Sequence, residues 1–113
     1  MPKRKTRVDV LLRREISQLL HTDYQSEGVY ITISEVDVSP DLRQAKVYYS
    51  VLGGEKHERA AEKFFRTKAS EIRFKVGKVI VLKYLPFFQF VRDNALERGF
   101  DMIEKLDDLD KNP

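Results

Sequence analysis

Two β-type runs on either side of a tight-turn signal constrain the fold of this chain more than any other feature. The turn signal is Ser39-Pro40-Asp41, in which proline presets the backbone φ angle and the aspartate can bond to its own backbone. The first run, about 29–38, shifts the phase of its alternating apolar residues near Ser34-Glu35, which predicts a β-bulge there. The partner run, about 43–52, ends at Gly53-Gly54. The sequence therefore predicts a β-hairpin over these residues.

Residues 6–22 have the spacing of an amphipathic helix, and a polar loop is predicted over 23–28. Glu15 falls inside the apolar arc of this helix. A carboxylate without a partner there would cost several kcal/mol, roughly. We therefore expect Glu15 to pair with a basic side chain or to accept hydrogen bonds from backbone amides. The apolar arc consists of Val8, Leu11, Leu12, Ile16, Leu19 and Leu20.

A second helical pattern runs from about 56 to 76, with apolar residues at steps of four and three. Gly77 is predicted as the C′ residue that ends it, and Lys75 and Lys78 suit the negative end of the helix dipole. The apolar row consists of Ala61, Phe65, Ala69, Ile72 and Val76.

The remaining segment predicts one strand and one helix. Residues 79–91 are strongly β-prone, but Pro86 cannot donate to a ladder, so the strand should lie at a sheet edge or break there. Asn94 and Glu97 resemble a capping pair that opens a last helix through Leu106. The order α-β-β-α-β-α predicts an α+β domain with a three-stranded sheet covered by helices. If the last strand is parallel to its neighbour, the long helix supplies the crossover.

The charge distribution suggests either a polyanionic partner contacted from one side or simply two solubilising ends. The chain has a net charge of +3, opens on Lys3, Arg4, Lys5 and Arg7, and closes on an acidic tail over 107–113. The long helix adds a basic stripe that would neutralise phosphates and bind less tightly as salt rises. The alternative is a solvated helix face, on which Glu62 pairs with Arg66 and Glu58 with Lys63. The stripe consists of Arg59, Lys63, Arg66 and Arg73, with Ser70 in the same row and Lys68, Lys75 and Lys78 on the opposite flank.

Other kinds of site have less support. The aromatic residue best placed to stack on a base is Tyr48, which projects with Lys46 and Ser50 from its strand; the alternative is a half-buried sheet residue. The phenylalanines at 64, 65, 87, 88 and 90 are assigned to the core. His21 and His57 sit in unrelated segments, and neither a triad order nor a phosphate loop occurs, so no enzyme is predicted. The absence of cysteine excludes disulfides and thiolate metal sites and fits a reducing cytoplasm. No apolar run approaches the roughly 20 residues of a membrane span, and the N-terminus lacks the apolar region of a secretory signal.

A set of short motifs, taken in order along the chain, resembles the ribosome-binding factor A family. It comprises Arg7-Val8, Glu15-Ile16, the hairpin with its Ala45-Lys46-Val47-Tyr48 strand, Ala69 with Ile72-Arg73, Leu82-Lys83, Leu85-Pro86, Phe88, Phe90, and Asp93 with Gly99. The resemblance implies a type II KH-like domain over 6–106, between a basic arm at 1–5 and a disordered acidic tail at 107–113. It further implies a strand order of third-first-second and a long helix bent between two halves.

The resemblance also implies the function. The expected role is binding to the immature small (30S) ribosomal subunit and assistance in late maturation of its 16S rRNA, notably at the 5′ end. This is a non-enzymatic, cytoplasmic role of a monomer without cofactors, important at low temperature, and ribosomal proteins or other assembly factors are further expected partners. Left open are another KH-like RNA-binding module and a protein-interaction adaptor. The side chains expected to contact phosphates are Lys3, Arg4, Lys5, Arg7, Arg13, Arg14, Arg59, Lys63, Arg66, Arg73 and Lys75.

Two motifs depart from the family pattern. The family carries Ala-x-Gly at the helix bend, whereas this chain has Ala69-Ser70-Glu71, so we predict a bend shallower than the family norm. The family's frequent Asp-Pro-Arg before the first strand is replaced by Tyr24-Gln25-Ser26.

Overall fold

The computed structural model describes residues 4–93, with side chains from Arg7 onward. Its elements confirm an α+β fold with a three-stranded sheet. The predicted last helix and the acidic tail lie outside the described residues. The elements are α1 (Arg4–Asp23), α2 (Gln25–Gly28), β1 (Ile31–Val38), β2 (Gln44–Val51), α3 (Glu55–Val79) and β3 (Phe87–Arg92).

The sheet is mixed and has β2 at its centre. β1 and β2 pair antiparallel, β2 and β3 pair parallel, and α3 supplies the crossover between the parallel strands. The expected order third-first-second is therefore wrong, since the order is β1-β2-β3. The reason is that β3 adds to the free edge of β2, where the Phe87 amide donates to the Arg43 carbonyl and the Asp93 amide to the Tyr49 carbonyl.

The last strand is shorter than predicted because of its proline. β3 begins at Phe87, immediately after Pro86, and residues 80–86 lie outside the strand. β3 is also an edge strand of the sheet. Both consequences expected of a proline without a donor amide, a break and an edge position, are confirmed.

The bulge and the turn of the hairpin are both confirmed. The β1–β2 register shifts between Ile33 and Glu35, and the hydroxyl of the intervening Ser34 donates to Asp93 Oδ2 over 2.8 Å. In the turn, Asp41 Oδ1 accepts from the Arg43 amide at 3.1 Å and from the Ser39 hydroxyl at 2.6 Å. The Ser39 hydroxyl, followed by the Arg43 amide, holds the pKa of the Asp41 carboxyl below its usual value.

Both long helices contribute to one core against the sheet. The buried side chains of α1 recur at steps of four, from Val8 through Leu12 and Ile16 to Leu20. Alternate residues of β1 and β2 meet them, because successive side chains of a strand point to opposite faces. Glu15 is largely buried, with its carboxylate 3.7 Å from the Arg14 guanidinium, which confirms the expected pairing with a basic side chain.

Two predicted boundaries are wrong. Residues 25–28 form the short helix α2 instead of a loop. Gly77 lies within α3, which continues to Val79 and closes with the Ile80 amide bonded to the Val76 carbonyl. The absence of a side chain at Gly77 serves packing, since a Cβ atom there would lie 3.1 Å from Leu85 Cδ2.

Candidate nucleic-acid interface

Three cations of the predicted stripe lie exposed on the first half of α3. Arg59 pairs with Glu55, and Arg66 lies 3.7 Å from Glu62, each pair one helical turn apart. Lys63 is exposed and forms no ion pair with residues 7–93. Exposed pairs of this kind contribute only about 0–1 kcal/mol, so a phosphate can replace the carboxylate at small cost. These three cations are therefore available to a polyanion, although two of them are partly neutralised.

The cations of α1 that the structure describes are also exposed. Arg7 and Arg13 point to solvent, and Arg14 is exposed beside Glu15. Arg4 and Lys5 are the first residues of α1, and their side chains are not described. The predicted contact Lys3 lies outside the described residues.

Arg73 belongs to the predicted stripe, but its side chain makes contacts within the protein. Its Nε donates to the Pro86 carbonyl at 2.9 Å, and its NH2 group donates to the Leu85 carbonyl at 2.7 Å. The guanidinium carbon also lies 4.2 Å from the centre of the Phe87 ring. Arg73 therefore fastens α3 to the segment that enters β3. The contact of Arg73 with phosphates stays a prediction, and a phosphate there would compete with the backbone carbonyls that its guanidinium already bonds.

Lys75 is likewise held by neighbours. Its Nζ lies 3.1 Å from Asp23 Oδ2, 3.4 Å from Glu71 Oε1 and 4.7 Å from the centre of the Tyr24 ring. The Asp23 carboxylate raises the pKa of Lys75 far above its ordinary value, and Lys75 in turn lowers the pKa of Asp23. The Tyr24 hydroxyl and the Lys68 ammonium hold the pKa of Glu71 below its usual value. This cluster joins α3 to the end of α1, so Lys75 is not a free phosphate contact.

The motif Ala69-Ser70-Glu71 lies within a continuous helix. α3 runs over 25 residues without interruption, as the residue pattern alone predicted. Glu71, at the position of the family's glycine, forms ion pairs with Lys68 at 3.3 Å and with Lys75. The shallower bend at this motif stays a prediction.

The aromatic residues divide between core and surface. Phe64 and Phe65 are buried, and Phe88 and Phe90 pack against the core, as predicted. The assignment of Phe87 to the core is wrong. It pairs in register with Gln44, on the opposite face of β3 from Phe88 and Phe90, and is exposed.

Tyr48 is half-buried between Lys46 and Ser50 on the sheet face away from the helices. This partial burial favours the alternative, a half-buried sheet residue, and not an exposed residue that stacks on bases.

His57 and Glu58, near the start of α3, both make contacts within the fold. His57 Nδ1 lies 2.9 Å from the Gly53 carbonyl oxygen, and its ring packs against that of Tyr30 at 4.0 Å. Glu58 pairs with Arg92 at 2.7 Å instead of with Lys63. Within residues 7–93 no three metal-ligating side chains are grouped. None of the helices that the structure describes is long and apolar enough to cross a bilayer.

A surface that the sequence reasoning missed lies around the connection from α3 to β3. Phe74, Tyr84 and Phe87 are exposed there, close to Lys78 and Lys83. A signal was present in the sequence, because the 20 residues 72–91 contain four cations and no aspartate or glutamate.

Comparison with known proteins supplies the family. A family model described as ribosome-binding factor A matches residues 4–106. The chain belongs to the ribosome-binding factor A family. Ribosome-binding factor A of Opitutus terrae is 41% identical over 98% of this chain and 91% of its own length. That of Akkermansia muciniphila is 34% identical over 99% of this chain and 89% of its own length.

Solved structures of the family support the fold. The crystal structure of ribosome-binding factor A from Thermus thermophilus has a TM-score of 0.69, with 16% sequence identity over 80% of this chain and 97% of that one. A homology model of the Thermus thermophilus protein, fitted into the cryo-EM map of a 30S complex, has a TM-score of 0.63 over 76% of this chain and 91% of that one. The family structures are KH-like, so the α+β arrangement described above is a KH-like fold.

Proposed function

We propose that this protein is a non-enzymatic assembly factor that binds the immature small ribosomal subunit and assists late maturation of 16S rRNA, including its 5′ end. The observation that carries the proposal is membership of the ribosome-binding factor A family over residues 4–106. It acts in the cytoplasm as a monomer without a cofactor, and its contribution is greatest at low temperature. Ribosomal proteins at the docking site and other assembly factors are further partners.

The exposed cations support a positioning role on RNA. Arg7, Arg13 and Lys63 lie on the outward surfaces of α1 and α3, where they can reach phosphates without first breaking a tertiary contact. Contacts of this type fix the orientation of a protein on RNA without reading sequence. Arg59 and Arg66 add to them by exchanging a neighbouring carboxylate for a phosphate. By binding in this way, the protein stabilises one conformation of a maturing rRNA helix.

The test is cosedimentation of the full chain with free small subunits and with whole ribosomes across a salt series. We expect preference for the free immature subunit and affinity that falls as salt rises. Replacing Lys63 by glutamine should weaken binding and reduce the slope of log affinity against log salt by about one.

A matched control removes a charge from the other side of the molecule. Lys46→Gln neutralises an exposed lysine on the sheet face away from the helices, so it should weaken subunit binding less than Lys63→Gln does. Binding that does not depend on salt would favour a protein-interaction adaptor. Equal effects of Lys46→Gln and Lys63→Gln would overturn the assignment of the helical surface.

A further inference from the structure

Three aromatic side chains lie exposed at the junction of α3 and β3, in contrast to the buried aromatic residues of the core. The exposed fractions are 64% for Phe74, 60% for Tyr84 and 66% for Phe87. Exposed apolar residues scattered singly need no explanation, but an exposed group on one surface indicates a binding site. We call this surface the aromatic–cation patch, and it consists of Phe74, Tyr84, Phe87, Arg43, Lys78 and Lys83.

Each ring of the patch lies beside a cation. Lys78 Nζ is 4.6 Å from the centre of the Phe74 ring. The Tyr84 ring has Lys83 Nζ at 5.6 Å and the guanidinium carbon of Arg43 at 5.9 Å. A cation within about 6 Å of an exposed ring contributes about 0.5–1 kcal/mol, which is too little to account for leaving the aromatic surface in water. The rings and the cations are therefore arranged for a ligand that uses both.

Arg73 connects the part of the patch at β3 to the part on α3. Arg73 packs on Phe87 and bonds to the Leu85 carbonyl, and the Phe87 amide donates to the Arg43 carbonyl, which brings the rings of β3 and its entry segment together. On the other side of Arg73 a groove of about 510 Å³ opens towards Phe74. Its lining residues are Ser70, Arg73, Phe74, Gly77, Lys78 and Leu85.

The charge of this region selects the ligand. Residues 72–91 contain no acidic residue, whereas the first half of α3 carries Glu55, Glu58 and Glu62. An apolar peptide would use the rings but leave the cations without partners, and duplex RNA would use the cations but hide its bases. Single-stranded RNA presents base faces that stack on aromatic rings together with phosphates that pair with cations.

We propose that the aromatic–cation patch binds unpaired nucleotides, with bases stacked on Phe74, Tyr84 and Phe87 and phosphates on Arg43, Lys78 and Lys83. This inference rests on the proposed function and adds to it a surface for single-stranded RNA. That surface is separate from the proposed phosphate contacts of Arg13 and Lys63. It has no base specificity, because every base offers a face to stack.

The test measures binding of the full chain to a fluorescent oligouridylate, to an oligoadenylate and to an RNA duplex of the same length. We expect the single strands to bind more tightly than the duplex. Tyr84→Leu and Phe74→Leu keep an apolar side chain but remove the π face, so each should weaken single-strand binding roughly fivefold to a hundredfold. Tyr84→Phe keeps the ring and should bind as the unmodified protein does, and Lys83→Gln should lower the salt slope by about one.

Tyr30→Leu is the matched control, because Tyr30 is also exposed but lies beside His57, in another part of the molecule. It should leave oligonucleotide binding unchanged. Retention of single-strand binding by both Tyr84→Leu and Phe74→Leu would overturn the proposal, as would equal binding of duplex and single strands. Circular dichroism of each variant establishes that it is folded.

The failure of this inference is distinguishable from the failure of the proposed function. If subunits bind normally but the leucine variants have no effect on oligonucleotides, only the stacking site is wrong. If oligonucleotides bind through the patch but subunits do not bind, only the assembly role is wrong.

Discussion

Replacing Arg73 by alanine separates a structural role from an RNA-binding role. The change removes two hydrogen bonds from a charged donor, to the carbonyls of Leu85 and Pro86, and the packing on Phe87. Hydrogen bonds to charged groups are worth about 1.5–3 kcal/mol each, and a cation on a ring adds about 0.5–1 kcal/mol. Because the freed carbonyls can turn towards water, we expect the free energy of unfolding to fall by about 2–4 kcal/mol.

The assay is thermal and urea unfolding of the full chain, followed by circular dichroism. A loss of this size should lower Tm by about 8–30 °C, since 1 kcal/mol corresponds to about 4–8 °C for a domain of up to about 100 residues. Arg73→Lys should lose about half as much, because a lysine keeps the charge and one donor but cannot form the fork. The matched control is Lys63→Ala, which touches no tertiary contact and should change stability by less than about 0.5 kcal/mol.

A structural role and an RNA-binding role of Arg73 predict different results for Arg73→Ala and Lys63→Ala in the stability and subunit-binding assays. If Arg73 is structural, Arg73→Ala loses stability and Lys63→Ala loses subunit affinity. The structural role would be refuted if Arg73→Ala had the same Tm as the unmodified protein but bound subunits as weakly as Lys63→Ala. That result would favour Arg73 as a phosphate contact.

Three further predictions concern stability. The lowered carboxyl pKa values of Asp23 and Glu71 stabilise the fold at neutral pH, and this contribution is lost as pH falls through those lowered values. The urea midpoint of the double variant Asp23→Asn/Glu71→Gln should therefore fall less between neutral and acidic pH than that of the unmodified protein. An equal fall in both proteins would contradict the cluster. In urea unfolding, Glu71→Gly should have a free energy of unfolding about 1 kcal/mol or more below that of Glu71→Ala, because glycine is a poor helix former. Equal stability of the two variants would argue that α3 is already broken at this position. Gly28→Ala should cost about 1–3 kcal/mol in the same assay, because a Cβ atom would meet the Leu20 carbonyl oxygen closely, and a neutral result would show that α1 and α2 separate freely.

The sequence predicted those parts of the fold that depend on local pattern. The bulge at Ser34 follows from a phase shift in apolar residues, and the position of β3 follows from the missing donor of Pro86. Strand order depends on which edge of the hairpin pairs with the last strand, and no local sequence signal encodes that choice. The order was therefore taken from the family resemblance, and it was wrong. The end of α3 was also misplaced, because Gly77 lies inside the helix and packs closely against Leu85, eight positions away in a different segment.

The candidate site was predicted less well than the fold, because charge alone does not reveal what a side chain contacts. Arg66 and Arg73 lie only about 20° apart on a helical wheel. Arg66 is nevertheless exposed, whereas Arg73 is bonded to carbonyls at 2.7 and 2.9 Å. Lys75 was assigned to phosphates but is held by Asp23, which is 52 positions away. Distant partners of this kind become visible only when the elements are packed together.

The distribution of acids along α3 gives its two ends different charges. Near the N-terminus, glutamates at 55, 58 and 62 offset the cations and complement the positive end of the helix dipole. Near the C-terminus, Lys78 complements the negative end, and no acid follows Glu71 as far as Val91. The positive potential should therefore be strongest where α3 meets the entry to β3, which is also where the exposed rings lie. Under both proposals, long-range attraction would bring RNA first to the end of the helix with the exposed rings, and the paired arginines nearer its start would then exchange carboxylates for phosphates.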